Sequence, residues 1–429
     1  MTSPNSVQVI TFGCRLNTYE SEVMKKLALE AGLENTIIIN TCAVTAEAER
    51  QARQQIRKLK KENPTVKILV TGCSAQTNPD QYAIMSEVDR IIGNDLKMKS
   101  SGYQFDESFV ERVIVNDIMS VKETATHLIS GFEDKVRAFL QVQNGCDHRC
   151  TFCIIPYGRG PSRSTPLGEL VTQVNSLLDN GYQEIVLTGV DLTAYCLDLP
   201  GKPTLGSLCK RLLKLAPSLQ RLRLSSLDPV EIDEDLWDLI ATEKRLMPHL
   251  HVSLQAGDDL ILKRMKRRHL RQDAIDFCKK AKNLRPDVVF GVDLIAGFPT
   301  ETDEMFENTL KIVKEADLTY LHVFPYSPRS GTPAAKMPQV AKAVIKERAH
   351  RLRQKGQEAL EAYFKKCLHQ EQTVLVESVS PLENGGFEVF GKTDSFSPIK
   401  IVTLKDVQKA SLLKVSPTCF DEKNLKGEL

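Results

Sequence analysis

The first ninety-odd residues repeat one hydrophobic pattern: an apolar run, a turn bearing a cysteine, then a stretch of helical spacing. Val7 to Phe12 leads into Gly13-Cys14, Thr36 to Asn40 into Thr41-Cys42, and Val66 to Val70 into Thr71-Gly72-Cys73. Short apolar strands alternating with helices predict βα units on a buried parallel sheet, whose strand-to-helix loops open on one edge. Cys14, Cys42 and Cys73 are thereby placed to converge, although about thirty residues separate each from the next. From Gly93 to Val136 the pattern weakens, and a boundary is expected near Glu133. Between Val136 and Ser330 strands and helices alternate again, with strands expected at 139–142, 184–187, 221–224, 251–254, 288–295 and 320–324. Six such units predict a complete or partial (βα) barrel with its chemistry at the C-terminal ends of the strands. A charged helical stretch over 339–370 follows. The tail carries β-like runs at 373–376, 387–390 and 399–404, with Asn384-Gly385-Gly386 as a hairpin signal, so a small all-β domain is expected there. The expected class is α/β, in three domains spanning 1–132, 133–370 and 371–429.

Composition narrows this picture. With 429 residues, 41% of them apolar, the chain can bury a core in each domain. Its 57 Lys and Arg against 55 Asp and Glu give a formal net charge of +2, so any polyanion must be held by local patches. Two basic runs qualify: Lys263, Arg264, Lys266, Arg267, Arg268 and Arg271, and Arg50, Arg53, Arg57, Lys58, Lys60 and Lys61. A solvated helix face is the plainer reading of either. No apolar stretch approaches the roughly 18 residues of a membrane span, and the start lacks the charge and apolar pattern of a signal peptide. A cytoplasmic protein without membrane contact is expected. In that reducing compartment eleven cysteines speak for metal or cluster ligation where spacing supports it.

The spacing supports it at Cys146, Cys150 and Cys153, directly after the first barrel strand. Three thiolates this close can ligate three irons of a 4Fe–4S cube and leave the fourth iron open to an exogenous ligand. Zinc, with His148 as the fourth ligand, is the competing reading. An open iron that binds the amino and carboxylate groups of S-adenosylmethionine (SAM) and passes it an electron would yield a 5′-deoxyadenosyl radical. Cys196, Cys209, Cys278, Cys367 and Cys419 lack ligand spacing and read as inert thiols.

With Phe152 at its aromatic position, this motif resembles that of the radical SAM superfamily. The segment from Gln143 to Ser164, with Tyr157-Gly158-Arg159-Gly160-Pro161-Ser162-Arg163-Ser164, resembles the methylthiotransferase family more specifically. That resemblance implies a three-cysteine N-terminal domain, a radical SAM barrel and a C-terminal TRAM domain. It implies two 4Fe–4S clusters, one held by Cys14, Cys42 and Cys73 that carries the sulfur, and one held by Cys146, Cys150 and Cys153 that cleaves SAM. It extends to His251 through Gly257, where Gln255 is retained and Ala256 replaces the commoner serine, and to Asp293 through Glu301. By resemblance, Phe152, Gln255, Asp293 and Gly297 contact SAM, the glycine letting backbone approach the ligand. Thr11 through Asn17, Thr45 in place of the arginine usual in the isopentenyl branch, and Arg159 through Ser164 resemble the branch acting on N6-threonylcarbamoyladenosine beside the tRNA anticodon. Isopentenyladenosine in tRNA and a ribosomal-protein aspartate are the alternative substrates, and a non-catalytic iron–sulfur RNA-binding redox sensor is the alternative class. The implied partners are tRNA, gripped through Arg264, Arg267, Arg268 and Lys392, and a low-potential electron donor of flavodoxin or ferredoxin type; a monomer is expected. The tail carries seven lysines, no arginine and eight acidic residues from Gln372 onward, so few RNA contacts are expected there.

Overall fold

The computed structural model describes residues 7–104, 111–122, 127, 129, 131–132, 135–383 and 385–429. The boundary expected near Glu133 and the Asn384 of the hairpin signal lie outside the described residues.

The N-terminal part is a five-stranded sheet in chain order, all parallel: Val7–Thr11, Thr36–Thr41, Lys67–Gly72, Arg90–Ile92 and Val113–Ile114. Strand alternation fills both faces, Ile38 and Leu69 entering one core and Ile39, Ile68 and Val70 the other. The register sets the chemistry. Thr11 pairs with Asn40 and Thr41 with Gly72, so the first three strands end level and their cysteine turns share one edge.

Six further strands run parallel in chain order: Arg137–Gln141, Glu184–Thr188, Arg221–Leu224, His249–Gln255, Val289–Ala296 and Leu318–Pro325. The third is broken at Ser225 and resumes as Ser226–Leu227 to pair with the fourth. Helices cover the outside, several started by side-chain caps: Thr204, Asp233 and Thr302 each accept a hydrogen bond from a backbone N–H of the first turn. The charged stretch forms the 26-residue helix Lys342–Cys367 against the last strand. Gly356 makes that packing possible, because a Cβ there would stand 3.0 Å from the Leu321 Cβ.

The C-terminal part is a six-stranded sheet. Three of its strands, Gln372–Pro381, Phe387–Thr393 and Pro398–Thr403, match the expected runs; Leu412–Val415, Cys419–Phe420 and Leu425–Glu428 were not anticipated. Its turn Thr393–Ser397 closes the lower mouth of the six-strand unit, where the strands begin. There the fully buried Glu184 accepts from Arg137 Nε at 2.8 Å and from Arg221 and Arg223 Nε at 2.7 Å each. Arg223 also donates to the Thr393 and Asp394 carbonyls, at 2.9 and 2.8 Å. The Phe396 ring lies 5.0 Å from the Arg223 guanidinium, 5.1 Å from that of Arg137 and 5.8 Å from that of Arg15.

A second buried cluster joins the N-terminal sheet to the barrel. Glu20, 1% exposed, accepts from Lys97 Nζ at 2.7 Å and from Arg159 Nη1 at 2.9 Å. Burial opposes its charge, but Arg159 and Lys97 outweigh that and hold its carboxyl at about 2. A depressed carboxyl stabilises the fold above its unfolded range, near 4.3, and the contribution is lost as pH falls from there through about 2. The urea midpoint should therefore drop more steeply between pH 5 and pH 3 in the wild type than in Glu20→Gln, and parallel curves would exclude the linkage.

Candidate active site

The N-terminal cysteines meet on the shared sheet edge. Cys14 caps the helix Arg15–Glu30, Cys73 opens the helix Cys73–Thr77 after Gly72 at φ +98°, and Cys42 lies on the turn between them. A Cβ on Gly13 would stand 2.8 Å from Cys42 Sγ, so the first turn rests directly on the second cysteine. Two buried asparagines brace these turns: Asn17 Nδ2 donates to Phe12 O at 2.7 Å and Thr41 O at 3.2 Å, and Asn40 Nδ2 donates to Asn17 O at 3.0 Å. Sequence reasoning missed that role, whose one signal was a polar Asn40 ending an apolar run. Cys42 and Cys73 are buried and Cys14 is exposed. Burial, with the neighbouring charges of Cys73 and Cys14, pushes the Cys42 thiol up to about 12. Asn94 Nδ2 donates to Cys73 Sγ at 3.7 Å, and buried Arg159, whose Nη2 donates to Asn17 Oδ1 at 2.5 Å, feels the charges of both Cys73 and Cys14.

The second trio lies on a loop pinned by backbone. Cys146 N donates to Gly160 O at 3.1 Å, Cys153 N to Cys150 O at 3.1 Å, Thr151 N to Met265 O at 3.0 Å and Ala334 N to Thr151 O at 2.9 Å. All three cysteines line a cavity of about 290 Å³ whose wall also takes residues from the ends of the other five barrel strands, among them Asp191, Asp228, Gln255, Asp293 and Phe324. Strands that all reach one cavity describe a partial barrel, and its chemistry lies at their C-terminal ends. Burial pushes the Cys153 thiol up to about 12, and burial together with Asp191 raises that of Cys146. Cys150 Sγ accepts from Arg267 Nη1 at 3.6 Å. His148 Nε2 lies 2.8 Å from Asp191 Oδ2, and the ligand atoms of Cys146, His148 and Asp191 fall within 4.8 Å of one another. This mixed set is the geometric alternative to a site of three thiolates.

The two sites adjoin. Val44 and Thr45, just beyond Cys42, form part of the wall of the cavity that holds Cys146, Cys150 and Cys153. Across the same junction Arg329 pairs with Glu49, and Ala46 N donates to Ser327 Oγ at 3.3 Å.

Comparison with known proteins bears on this pairing. Residues 140–313 match the Radical SAM superfamily and residues 6–93 match the uncharacterized protein family UPF0004. The threonylcarbamoyladenosine tRNA methylthiotransferase MtaB of Rickettsia prowazekii (strain Madrid E) is 56% identical over 411 residues, 95% of each chain. The chain belongs to the MtaB family of methylthiotransferases. Another MtaB, from Bacillus subtilis (strain 168), is 37% identical over 80% of this chain and 78% of its own. A tRNA-2-methylthio-N(6)-dimethylallyladenosine synthase from Ehrlichia chaffeensis is 31% identical over 90% of each. Among solved structures, the radical SAM methyltransferase TsrM from Kitasatospora setae shares the fold, with a TM-score of 0.55 at 15% identity over 78% of this chain and 77% of that one.

Membership in the MtaB family brings SAM and 4Fe–4S clusters as cofactors, and the donor sets fit them. Each trio gathers soft sulfur ligands of the kind that bind iron as thiolates: Cys42 and Cys73 are buried, Cys146, Cys150 and Cys153 half-buried, and Arg159 and Arg267 place positive charge beside them. The cavity also leaves Arg267 Nε, Tyr326 OH and Arg329 Nη1 buried without a hydrogen-bond partner. Such orphans cost about 1–3 kcal/mol each, so three in one cavity point to a polar ligand that completes them.

The other expected site residues of this MtaB-family chain fall as follows. Phe152, Gln255 and Asp293 line the cavity. Phe152 meets Phe298 edge-on at 6.4 Å, Gln255 adopts φ +72°, and Asp293 Oδ1 lies 3.1 Å from His251 Nε2. Gly297 lies apart from these three. Its φ is +74°, but it does not line the cavity, and its open side faces helix Lys342–Cys367, where a Cβ would stand 2.5 Å from Ile345 Cγ1. Its missing side chain admits that helix. Arg264 donates to Thr300 Oγ1 at 2.9 Å, Arg267 and Arg268 both reach Asp228, and Lys392 lies over the Phe396 ring at 5.1 Å. Arg264, Arg267 and Arg268 thus each have a partner within the protein, Arg268 with its side chain still 32% exposed. Cys196, Cys209, Cys278 and Cys367 are buried, away from both trios' turns, and Cys419 is exposed. Among the described residues no helix is long and apolar enough to cross a membrane.

Proposed function

We propose that this enzyme replaces the C2 hydrogen of N6-threonylcarbamoyladenosine, beside the anticodon of a tRNA, with a methylthio group. The observation that carries this reading is the shared wall: Val44 and Thr45, on the turn that follows Cys42, line the cavity that holds Cys146, Cys150 and Cys153, so a base inserted there borders the first trio's edge. Cys14, Cys42 and Cys73 would hold the sulfur-carrying cluster, and Cys146, Cys150 and Cys153 the cluster that binds SAM. When bound, these groups supply an electron for reductive SAM cleavage and sulfur for insertion. The chain's residues do the rest. Phe152, Gln255 and Asp293 orient SAM in the cavity, Arg267 fixes Cys150, and the Glu49–Arg329 pair holds the two sites at a constant separation while the packed wall excludes water. The organisation is a sulfur-donor domain at 1–132, a radical SAM barrel at 133–370 and a TRAM domain at 371–429. The enzyme acts as a cytoplasmic monomer, reduced by a flavodoxin- or ferredoxin-type donor.

The test is nucleoside mass spectrometry after incubating anaerobically reconstituted protein with SAM, reductant and tRNA carrying the threonylcarbamoyl group. Appearance of the 2-methylthio nucleoside supports the reading. Product only on isopentenyladenosine, or only on a ribosomal-protein aspartate, refutes it.

A further inference from the structure

The proposed substrate differs from other adenosines in one decisive way: its side group ends in a free carboxylate. A site that selects it needs a cation that a base entering from outside can reach, ideally a fork that takes both oxygens. Among the described residues three arginines line the cavity. Arg267 is committed: it donates to Asp228 Oδ2 at 2.9 Å, Ser253 O at 2.9 Å and Cys150 Sγ at 3.6 Å, and its side chain is 10% exposed. Arg329, 11% exposed, is tied to Glu49 across the junction through Nη2, and its unpartnered Nη1 is buried, out of reach of a group that enters from outside. Arg268 is the accessible one, at 32%.

Its two terminal nitrogens are held differently. Nη2 donates to Asp228 Oδ2 at 3.0 Å, and Asp228 is 3% exposed and shared with Arg267 and His269, so this anchor is fixed. Nη1 meets Glu231, whose side chain is 26% exposed. Glu231 also accepts from Thr193 Oγ1 at 2.9 Å, so it keeps a hydrogen bond if Arg268 lets go. A carboxylate therefore already occupies the outward nitrogen of the most exposed arginine in the cavity, and it has a second place to go.

Resting on the function proposed above, we infer that Glu231 stands in for the substrate: the threonyl carboxylate displaces Glu231 from Arg268, and Arg268 is the residue that selects an acid-bearing adenosine over neutral ones. Asp228 keeps the guanidinium in place during the exchange, and Thr193 retains Glu231. Arg268 thus reads the nucleoside, whereas the sequence alone had suggested a phosphate contact.

The test uses the reconstituted full-length chain and two tRNAs of one sequence, with the threonylcarbamoyl group or with plain adenosine at the target. Methylthiolation gives a kcat/KM ratio, and fluorescence anisotropy with matching anticodon stem-loops gives an affinity ratio. Arg268→Gln should reduce the preference for the acid-bearing RNA by roughly 10–100-fold, as expected for a lost charge-assisted hydrogen bond, and Arg268→Lys should retain part of it. Glu231→Gln should tighten the acid-bearing stem-loop severalfold and leave the plain one unmoved. Equal losses on both RNAs in Arg268→Gln, weaker binding in Glu231→Gln, or loss of preference in Arg329→Gln but not in Arg268→Gln would each overturn the inference. So would a tenfold weakening of SAM by equilibrium dialysis in Arg268→Gln, which assigns the arginine to SAM's own carboxylate. If the wild type thiolates neither RNA, the proposed function itself fails, a result separate from anything the variants show.

Discussion

Cys150→Ala is expected to abolish 5′-deoxyadenosine formation while the chain stays folded. The Cys150 side chain supports little of the loop: its sulfur accepts one long contact from Arg267, and the turn is held by backbone bonds of Cys146, Thr151, Cys153 and Ala334. Removing one sulfur of three leaves a cube with two protein ligands, so iron per chain should fall by about four after anaerobic reconstitution. Circular dichroism should match the wild type. Cys42→Ala should behave otherwise, because Cys42 stands against Gly13 on the N-terminal edge. That variant should still form 5′-deoxyadenosine in an abortive reaction and yield no methylthio nucleoside. Continued SAM cleavage by the Cys150 variant would disprove the assignment of the second trio, and identical phenotypes would show that the two trios do not divide the work.

The largest loss of stability is expected from Glu184→Ala. Burial opposes the charge of Glu184, but Arg223, Arg221 and Arg137 overcome it and hold the carboxyl well below its usual range. Removing it strands three guanidinium groups at the closed end of the barrel, and breaking a buried pair from one side costs about 3–5 kcal/mol. Glu377 beside Arg137 and Asp394 beside Arg221 remain, which places the cost towards the lower end of that range. At roughly 2–4 °C per kcal/mol for a unit of this size, the barrel's melting midpoint should fall by about 6–12 °C. Arg223→Met should cost less, since Glu184 keeps two cations. A Glu184→Ala midpoint within 2 °C of the wild type would mean that apolar contacts alone hold the closure.

Much of the site was legible in the chain because a parallel sheet forces it. Strands that end level bring their following turns to one edge, so three strand-end cysteines predicted a meeting that the Thr41–Gly72 register explains. The Cys146 motif was legible because its spacing is local. The lower closure was not, although Arg221 and Arg223 alternate with leucines as inward-facing residues must: their partners at Thr393 and Asp394 lie some 170 residues away, and no local period records that distance. The packing of Gly297 against Ile345 was not legible, because a glycine in a sequence does not show which neighbour a side chain would meet. The partners of the basic run at 263–271 were hidden for a similar reason. Lysines and arginines at helical spacing look like an outward face, and only the tertiary position of Asp228 shows that Arg267 and Arg268 share a buried carboxylate. The last three strands are two to four residues long, too short to display alternation.

The grip of Arg15, Arg137, Arg223 and Lys392 on Phe396 has a consequence for biosynthesis. Residues from the N-terminal sheet, the barrel and the C-terminal sheet converge on a single ring, so the barrel's lower mouth closes only once the C-terminal sheet has formed. Metal delivered before then would meet an unsealed vessel.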